Sequence, residues 1–148
     1  MNEDFVPFEL AVKLKEKGFR EKCLTFYDVE DNVGLLYNTQ YFDEFSPCQY
    51  TDLLASFNSG DGEAHLDLSD NCIDAPTISQ VLKWLREEND VDLVIYPIFI
   101  YEAEDRTREY GCNIYARQLN KPVPADGYRN SYEEAALAGI AYVLDNLI

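Results

Sequence analysis

The most regular apolar pattern lies in residues 75–102, where a helical period gives way to an alternating one. A helix is predicted over residues 77–88, because apolar side chains recur there at intervals of three and four residues. Thr77 and Gln80 form a Thr-x-x-Gln capping box at its start. The apolar positions of this helix are Ile78, Val81, Leu82 and Leu85.

A strand is predicted directly after this helix, from Val91 to Tyr101. From Val94 onward both of its faces are apolar, which is typical of a central or doubly covered strand. Pro97 has no backbone N–H to donate and instead favours an edge position or a bulge. After a turn at residues 103–108, residues 110–119 are predicted to return as the second strand of a long hairpin.

The N-terminal part repeats this order of helix and hairpin. A helix is predicted over residues 7–17, with Pro7 in its first turn and an inward stripe of Leu10, Ala11 and Leu14. Gly18 followed by Phe19 predicts a Schellman motif at its C-terminus. Residues 23–28 and 34–37 then form the predicted hairpin.

A last helix begins after Ser131, which forms a second capping box with Glu134. It is predicted to end at or near Ile148. Between the two hairpins, a short helix is predicted at residues 46–57 and a short strand at residues 64–68. The apolar stripe of the last helix is Ala135, Ala136, Ile140, Val143, Leu144 and Leu147.

These elements predict an α+β fold of a single domain over residues 1–148. Two layers are expected, with an antiparallel sheet of about four or five strands and helices packed mainly on one face. The apolar fraction of 47% and the aromatic fraction of 14% indicate a globular chain. The acidic N-terminus does not resemble a signal peptide, and no apolar run is long enough for a membrane span. The expected location is the cytoplasm.

The charge of the chain is strongly negative, with 28 acids against 12 bases and a net charge of −16. This argues against nonspecific nucleic-acid binding and against anionic membranes, which both require Lys and Arg. Residues 23–82 contain no Lys or Arg and hold eleven acids. Most of these acids are expected in water, where they would form one negative face. The candidate acidic surface comprises Asp28, Glu30, Asp31, Asp43, Glu44, Asp61, Glu63, Asp67 and Asp70.

Catalytic, metal and cofactor motifs do not emerge from the sequence. Four widely spaced cysteines and the single His65 lack the paired spacing of a zinc site, so all four thiols are predicted to be free. Neither Gly60 nor Gly62 fits the register of an EF-hand loop, and no phosphate-binding loop is present. Asp67, Asp70 and Asp74 are interpreted as solvated capping residues. No catalytic, cofactor-binding or metal-binding residue is predicted, and the chain is expected not to be an enzyme.

Three blocks of the sequence resemble a family of small uncharacterised proteins encoded by phages and mobile elements of gut bacteria. They are APTISQVLKWLREE (residues 75–88), SYEEAALAGIAYVLDNLI (residues 131–148) and FELAVKLKEKGF (residues 8–19). The resemblance covers about a third of the chain. It implies a bacterial or phage origin and a cytoplasmic setting, and it supplies no activity, cofactor or site residue.

The sequence leaves several functions open. The first is an interaction protein that binds another protein, with the acidic surface either docking a basic partner or serving only solubility; mimicry of nucleic acid by this surface is a special case. The second is a nucleic-acid-binding module using helix 77–88 and the following hairpin, with positive charge from Lys83, Arg86, Arg106 and Arg108. Among the eleven tyrosines, Tyr96 and Tyr101 are assigned to the sheet, whereas Tyr41, Tyr50, Tyr110 and Tyr128 are surface candidates.

Overall fold

The computed structural model describes residues 5–21, 23, 25–28, 33–37, 72–101 and 107–148. The chain divides into two compact units, Met1–Thr77 and Ile78–Ile148, and each is described on its own. The first unit contains helix α1 (Phe8–Glu16) and strands β1 (Thr25–Asp28), β2 (Val33–Tyr37) and β3 (Cys72–Asp74). Its three strands form an antiparallel sheet in the order β2-β1-β3.

Helix α1 ends as the sequence predicts. Gly18 has a φ of 92°, which is the left-handed conformation that glycine adopts most easily. The N–H of Phe19 donates to the carbonyl of Leu14 at 2.9 Å, and that of Gly18 donates to Lys15 at 3.2 Å. This pair of bonds is the Schellman motif. The predicted stripe of Leu10, Ala11 and Leu14 is buried, whereas Pro7 precedes the first turn instead of lying within it.

The hairpin of β1 and β2 confirms the prediction, but β3 was not predicted. Three residues are too few to show an alternating pattern. Asp74 lies in β3 and pairs with Phe26 of β1, so its interpretation as a solvated capping residue was wrong. The N–H of Ala75 donates to the carbonyl of Thr25 at 2.9 Å, and the buried Thr25 hydroxyl donates back to the Ala75 carbonyl at 2.7 Å. These bonds hold the chain after β3 against β1.

The second unit contains α2 (Ile78–Asn89), β4 (Val91–Phe99), β5 (Arg108–Ala116), β6 (Val123–Pro124) and α3 (Tyr132–Asn146). Its antiparallel sheet has the order β4-β5-β6, so β4 is an edge strand among the strands that the structure describes. Pro97 pairs with Tyr110 in an unbroken register, which confirms the edge position and excludes a bulge there. The two-residue strand β6 lies where the sequence predicted only a loop.

One face of this sheet carries α3. A Cβ atom added to Gly139 of α3 would lie 2.5 Å from the Cys112 sulfur and 3.2 Å from Leu93 Cδ1. Cys112 and Leu93 lie on the same face, because β-strand side chains alternate and Leu93 pairs with Ile114. The opposite face carries no helix of the described residues and is called here the helix-free face. It is formed by Asp92, Val94, Tyr96 and Ile98 of β4 and by Glu109, Gly111, Asn113 and Tyr115 of β5.

Helix α2 contributes a different set of core residues from the one predicted. Leu82 is only half-buried, and Trp84 takes a place in the core with 6% of its surface exposed. The 3.6-residue period allows either residue to flank the stripe, so periodicity alone did not separate them. The buried residues of α2 are Ile78, Val81, Trp84 and Leu85.

Helix α3 begins with a modified capping box. The Ser131 hydroxyl accepts from the N–H of Glu134 at 3.1 Å, as predicted. The Glu134 carboxylate accepts from the N–H of Asn130 at 3.3 Å instead of returning to Ser131. The helix ends at Asn146, two residues before the predicted end. Five of its six predicted stripe residues are buried, and Leu147 follows the helix.

The α+β class and the antiparallel pairing are confirmed. The strands that the structure describes are divided between two sheets of three strands each, where the sequence predicted one sheet of about four or five. Strand alternation shows which residues share a face, but it does not choose the neighbouring strand. Within the described ranges, no helix has the length and apolar character needed to cross a membrane.

Candidate interaction surface

The predicted acidic surface lies almost entirely outside the described residues. Asp28 is described only in its backbone, as the last residue of β1, where the register shifts by one residue. The acids outside the described residues are Glu30, Asp31, Asp43, Glu44, Asp61, Glu63, Asp67 and Asp70. The same holds for His65, Arg106, Tyr41 and Tyr50 and for the elements predicted at residues 46–57 and 64–68.

A second kind of surface lies at the end of the β4–β5 hairpin where β4 ends and β5 begins. Four aromatic residues and one arginine are arranged there as a continuous row, which is called here the aromatic–arginine cluster. Neighbouring side chains within it are in ring or cation–π contact. The cluster consists of Tyr101, Phe99, Arg108, Tyr110 and Tyr132, in the order of these contacts.

The register of the hairpin brings the centre of this row together. Phe99 pairs directly with Arg108, and Pro97 pairs with Tyr110. Side chains of paired residues, and of residues two positions apart, lie on the same face of a sheet. Phe99, Arg108 and Tyr110 therefore share the face that carries α3.

The first residue of α3, Tyr132, supplies the last ring. Tyr110 and Arg129 exchange two backbone hydrogen bonds of 2.8 and 2.9 Å. The Ser131 cap follows two residues later and starts α3 at Tyr132. The rings of Tyr110 and Tyr132 consequently meet edge to face, with centroids 6.3 Å apart, which is a favoured aromatic geometry.

Arg108 lies between two rings. Its guanidinium carbon is 5.1 Å from the ring centroid of Tyr110 and 5.9 Å from that of Phe99. Each exposed cation–π contact of this kind stabilises by about 0.5–1 kcal/mol. Among the residues that the structure describes, no carboxylate forms an ion pair with Arg108.

The cluster leaves much apolar ring surface in contact with water. The exposed fractions are 81% for Tyr101, 49% for Phe99 and 44% for Tyr132. The centroids of Phe99 and Tyr101 are 6.0 Å apart, so the exposed rings adjoin each other. Aromatic residues and arginine are the side chains most enriched at protein–protein interfaces and their energetic hot spots. The arrangement suits the binding of another protein.

Part of this surface was predictable from the sequence. Tyr110 was named as a surface tyrosine and Arg108 as a positive residue of the hairpin. Tyr101 was assigned to the sheet, which is wrong, because it follows the end of β4 and is largely exposed. Phe99 and Tyr132 were missed, since their proximity depends on hairpin register and on the bridge at Tyr110.

An open cleft of about 300 Å³ lies at the opposite end of the β4–β5 hairpin, where β4 begins and β5 ends. Within it, the Arg117 guanidinium contacts the Asp90 carboxylate at 3.4 Å, with both side chains mostly exposed. Such solvated pairs contribute little to stability. Two arginines and two aspartates balance in charge, so the cleft favours neither an anion nor a cation. Its lining residues are Arg86, Asp90, Asp92, Tyr115, Ala116 and Arg117.

In the described part of the chain, no group of three or more His, Cys, Asp or Glu side chains is placed to hold a metal ion. Comparison with protein-family models, with curated proteins and with solved structures finds no match to this chain. The function of the chain therefore has to be inferred from its own surface.

Two of the predicted free thiols are described, and both are free and buried. Burial raises the pKa of the Cys112 thiol from 9.0 to about 11. The pKa of Cys23 is also raised, first by burial and then by the negative charges of Asp74 and Glu21. The thiolate is the reactive form of cysteine, so both thiols are held in their unreactive state at neutral pH.

We predict that Cys23 and Cys112 resist alkylation in the folded protein at mildly alkaline pH. Both should be labelled rapidly once denaturant exposes them and returns their pKa to its ordinary value. Peptide mass spectrometry after timed labelling, with and without denaturant, measures each site separately. Equal labelling rates at Cys112 in the two conditions would contradict its packing beneath α3.

Proposed function

We propose that this chain is a non-enzymatic interaction protein, and that the aromatic–arginine cluster is the anchor through which it binds another protein. The observation that carries the proposal is the row of exposed rings around Arg108. Exposed apolar surface of this kind is typical of binding sites, and its residue types match those of interface hot spots. The cytoplasmic setting and the bacterial or phage origin are part of the same proposal.

The net charge of −16 supports a basic partner. A negative field attracts a positively charged protein over distances near the Debye length and raises its association rate. Exposed tyrosine and phenylalanine rings also attract cationic side chains. In this proposal the acids of the candidate surface steer the partner, while the cluster holds it.

The test is capture of proteins from a bacterial lysate on the immobilised chain, at low and at moderate salt. We expect Tyr101→Ala to lower the affinity for the captured partner about thirtyfold or more, because truncation of a hot-spot residue costs roughly 2 kcal/mol or more. Tyr115→Ala is the matched control, since this tyrosine is 43% exposed on the helix-free face. Equal effects of the two variants would refute the cluster as the anchor.

The acidic surface is tested with a triple variant in which Asp28 and Asp31 become Asn and Glu30 becomes Gln. Capture of a basic partner should weaken at low salt, and the difference should shrink as salt rises, because salt screens exposed charges. If no basic protein is enriched, or if the triple variant captures as well as the original chain, the acids serve only solubility. The hypothesis that these acidic residues mimic nucleic acid stays a prediction.

Nucleic-acid binding through α2 is the alternative function, and the structure gives it less support. Val81 and Leu85 of α2 are fully buried and cannot enter a groove. On the exposed side, the positive charges of Lys83 and Arg86 are offset by Glu87 and Glu88. An electrophoretic shift with mixed duplexes at low salt tests this alternative. Strong, salt-sensitive binding would place it above the protein-binding proposal.

A further inference from the structure

The outer edge of β4 is a row of backbone groups directed away from its neighbour. At the two ends of the β4–β5 pair, the N–H of Ile100 donates to Thr107 and the N–H of Arg117 donates to Asp90. Alternate residues of an antiparallel strand bond to the same neighbour. The even-numbered residues from 90 to 100 therefore face β5. The outward groups belong to Val91, Leu93, Ile95, Pro97 and Phe99, but Val91 has no exposed surface, so its groups are not open to a second strand.

This edge carries little of the protection that natural edge strands usually have. Charged residues, prolines, bulges or a covering element normally prevent such strands from pairing. The register of β4 is continuous over all nine residues, so it has no bulge. Pro97 removes one outward N–H, and Asp92 is the single charge. Within the described ranges, no strand pairs with the outer side of β4.

We propose that a second copy of this chain pairs with β4, antiparallel and about a twofold axis at Val94. The β4-β5-β6 sheets of the two copies would then join into one sheet of six strands. A strand that pairs with its own copy forms an isologous interface, which closes after two chains. This inference does not depend on the function proposed above, because it concerns the purified chain alone.

The proposed register suits the residues of β4. Leu93 would face Ile95 of the second copy, and both have outward backbone groups. Val91, which would lie opposite Pro97 of the second copy, has no exposed surface, so the paired segment is limited to residues 92–96. Phe99 stays outside the paired segment and remains free for the aromatic–arginine cluster.

The side chains on the helix-free face also fit this register. Val94 is 46% exposed, which is unusual for a β-branched residue in the middle of a strand. At the axis it would meet Val94 of the second copy in a non-hydrogen-bonded pair, where Cα atoms are about 4.5 Å apart. Asp92 would face Tyr96 of the second copy. No like charges are therefore placed directly opposite each other.

Net charge opposes this pairing and gives it a recognisable salt dependence. Two chains of −16 repel each other, and salt screens that repulsion. Self-association should consequently strengthen as salt rises. Capture of a basic partner should weaken under the same change. The opposite salt dependences distinguish the two proposals, so one can be refuted while the other stands.

The test is sedimentation equilibrium of the purified full chain over a range of concentrations, at low and high salt. We expect a monomer–dimer equilibrium and a dissociation constant at least about tenfold larger for Val94→Lys, because two ammonium groups would meet at the axis. Tyr115→Lys is the matched control. Its tyrosine has a similar exposure of 43% on the same face but belongs to the central strand. Circular dichroism checks that both variants fold.

A cross-linking experiment tests the register itself. Under mild oxidation, Val94→Cys should give a covalent dimer, because Cα atoms about 4.5 Å apart lie within disulfide range. Tyr115→Cys and the original chain should give none. The proposal is overturned if the chain stays monomeric at all concentrations and salts, if the two lysine variants weaken the dimer equally, or if Val94→Cys does not cross-link within a dimer.

Discussion

Replacing Gly139 with alanine is expected to lower the free energy of unfolding by about 1–3 kcal/mol, as overpacking of a well-filled core usually does. The added Cβ would lie 2.5 Å from the Cys112 sulfur and 3.2 Å from Leu93 Cδ1. Both contacts are with side chains of paired strands beneath α3, so the new methyl group fits only if Cys112 and Leu93 change rotamer or α3 moves away from the sheet. Urea denaturation of the full chain measures the difference.

Helix propensity alone predicts the opposite sign. In an exposed helix, alanine is better than glycine by about 1 kcal/mol. A loss of stability would therefore show that the close approach of α3 to the sheet outweighs the propensity gain. An equally stable or more stable Gly139→Ala variant would mean that α3 does not approach β5 as closely as described.

A double-mutant cycle identifies the atom responsible. Cys112→Ala removes the sulfur that the new Cβ would meet. In the double variant with Gly139→Ala, the added methyl group would occupy part of the space left by the sulfur. The double variant should be more stable than the sum of the two single changes predicts, by about 0.5–3 kcal/mol for contacting residues. Strict additivity would assign the effect of Gly139→Ala to some other contact.

The sequence predicted the helices of the described chain more accurately than the pairing of its strands. The end of α1 depended on Gly18 and Phe19, and the start of α3 on Ser131 and Glu134, which are local signals. The sheets were harder to predict. Strands β3 and β6 are too short to show a period. The division into two sheets depends on which strands become neighbours, and alternation carries no information on that choice.

The candidate site was still less predictable from the sequence, because it is produced by contacts between distant residues. Phe99 and Arg108 meet through the hairpin register, and Tyr132 meets Tyr110 after a backbone bridge to Arg129. None of these residues forms a local motif. Charge and composition identified the acidic stretch instead, and its side chains lie outside the described residues. Sequence and structure thus give two different candidate surfaces for the interaction proposed above.

Replacing Leu85 with alanine should cost about 2–5 kcal/mol, which is the usual range for a fully buried leucine. Leu85 has no exposed surface and lies in α2, the helix that leads directly into β4. Truncation removes the transfer free energy of the lost methyl groups and leaves a cavity that the surrounding core fills only in part. Chemical denaturation of the full chain gives the change in free energy.

Leu82→Ala is the matched control, because it makes the same chemical change in the same helix. Leu82 is half-buried, so less apolar surface returns to water and little or no closed cavity forms. Its cost should stay below that of Leu85→Ala and under about 2 kcal/mol. The periodic pattern alone predicted both leucines for the core, whereas the structure gives Trp84 the place predicted for Leu82. If Leu82→Ala costs as much as Leu85→Ala, the apolar face of α2 is centred as the sequence predicted, and the burial of Trp84 described above is wrong.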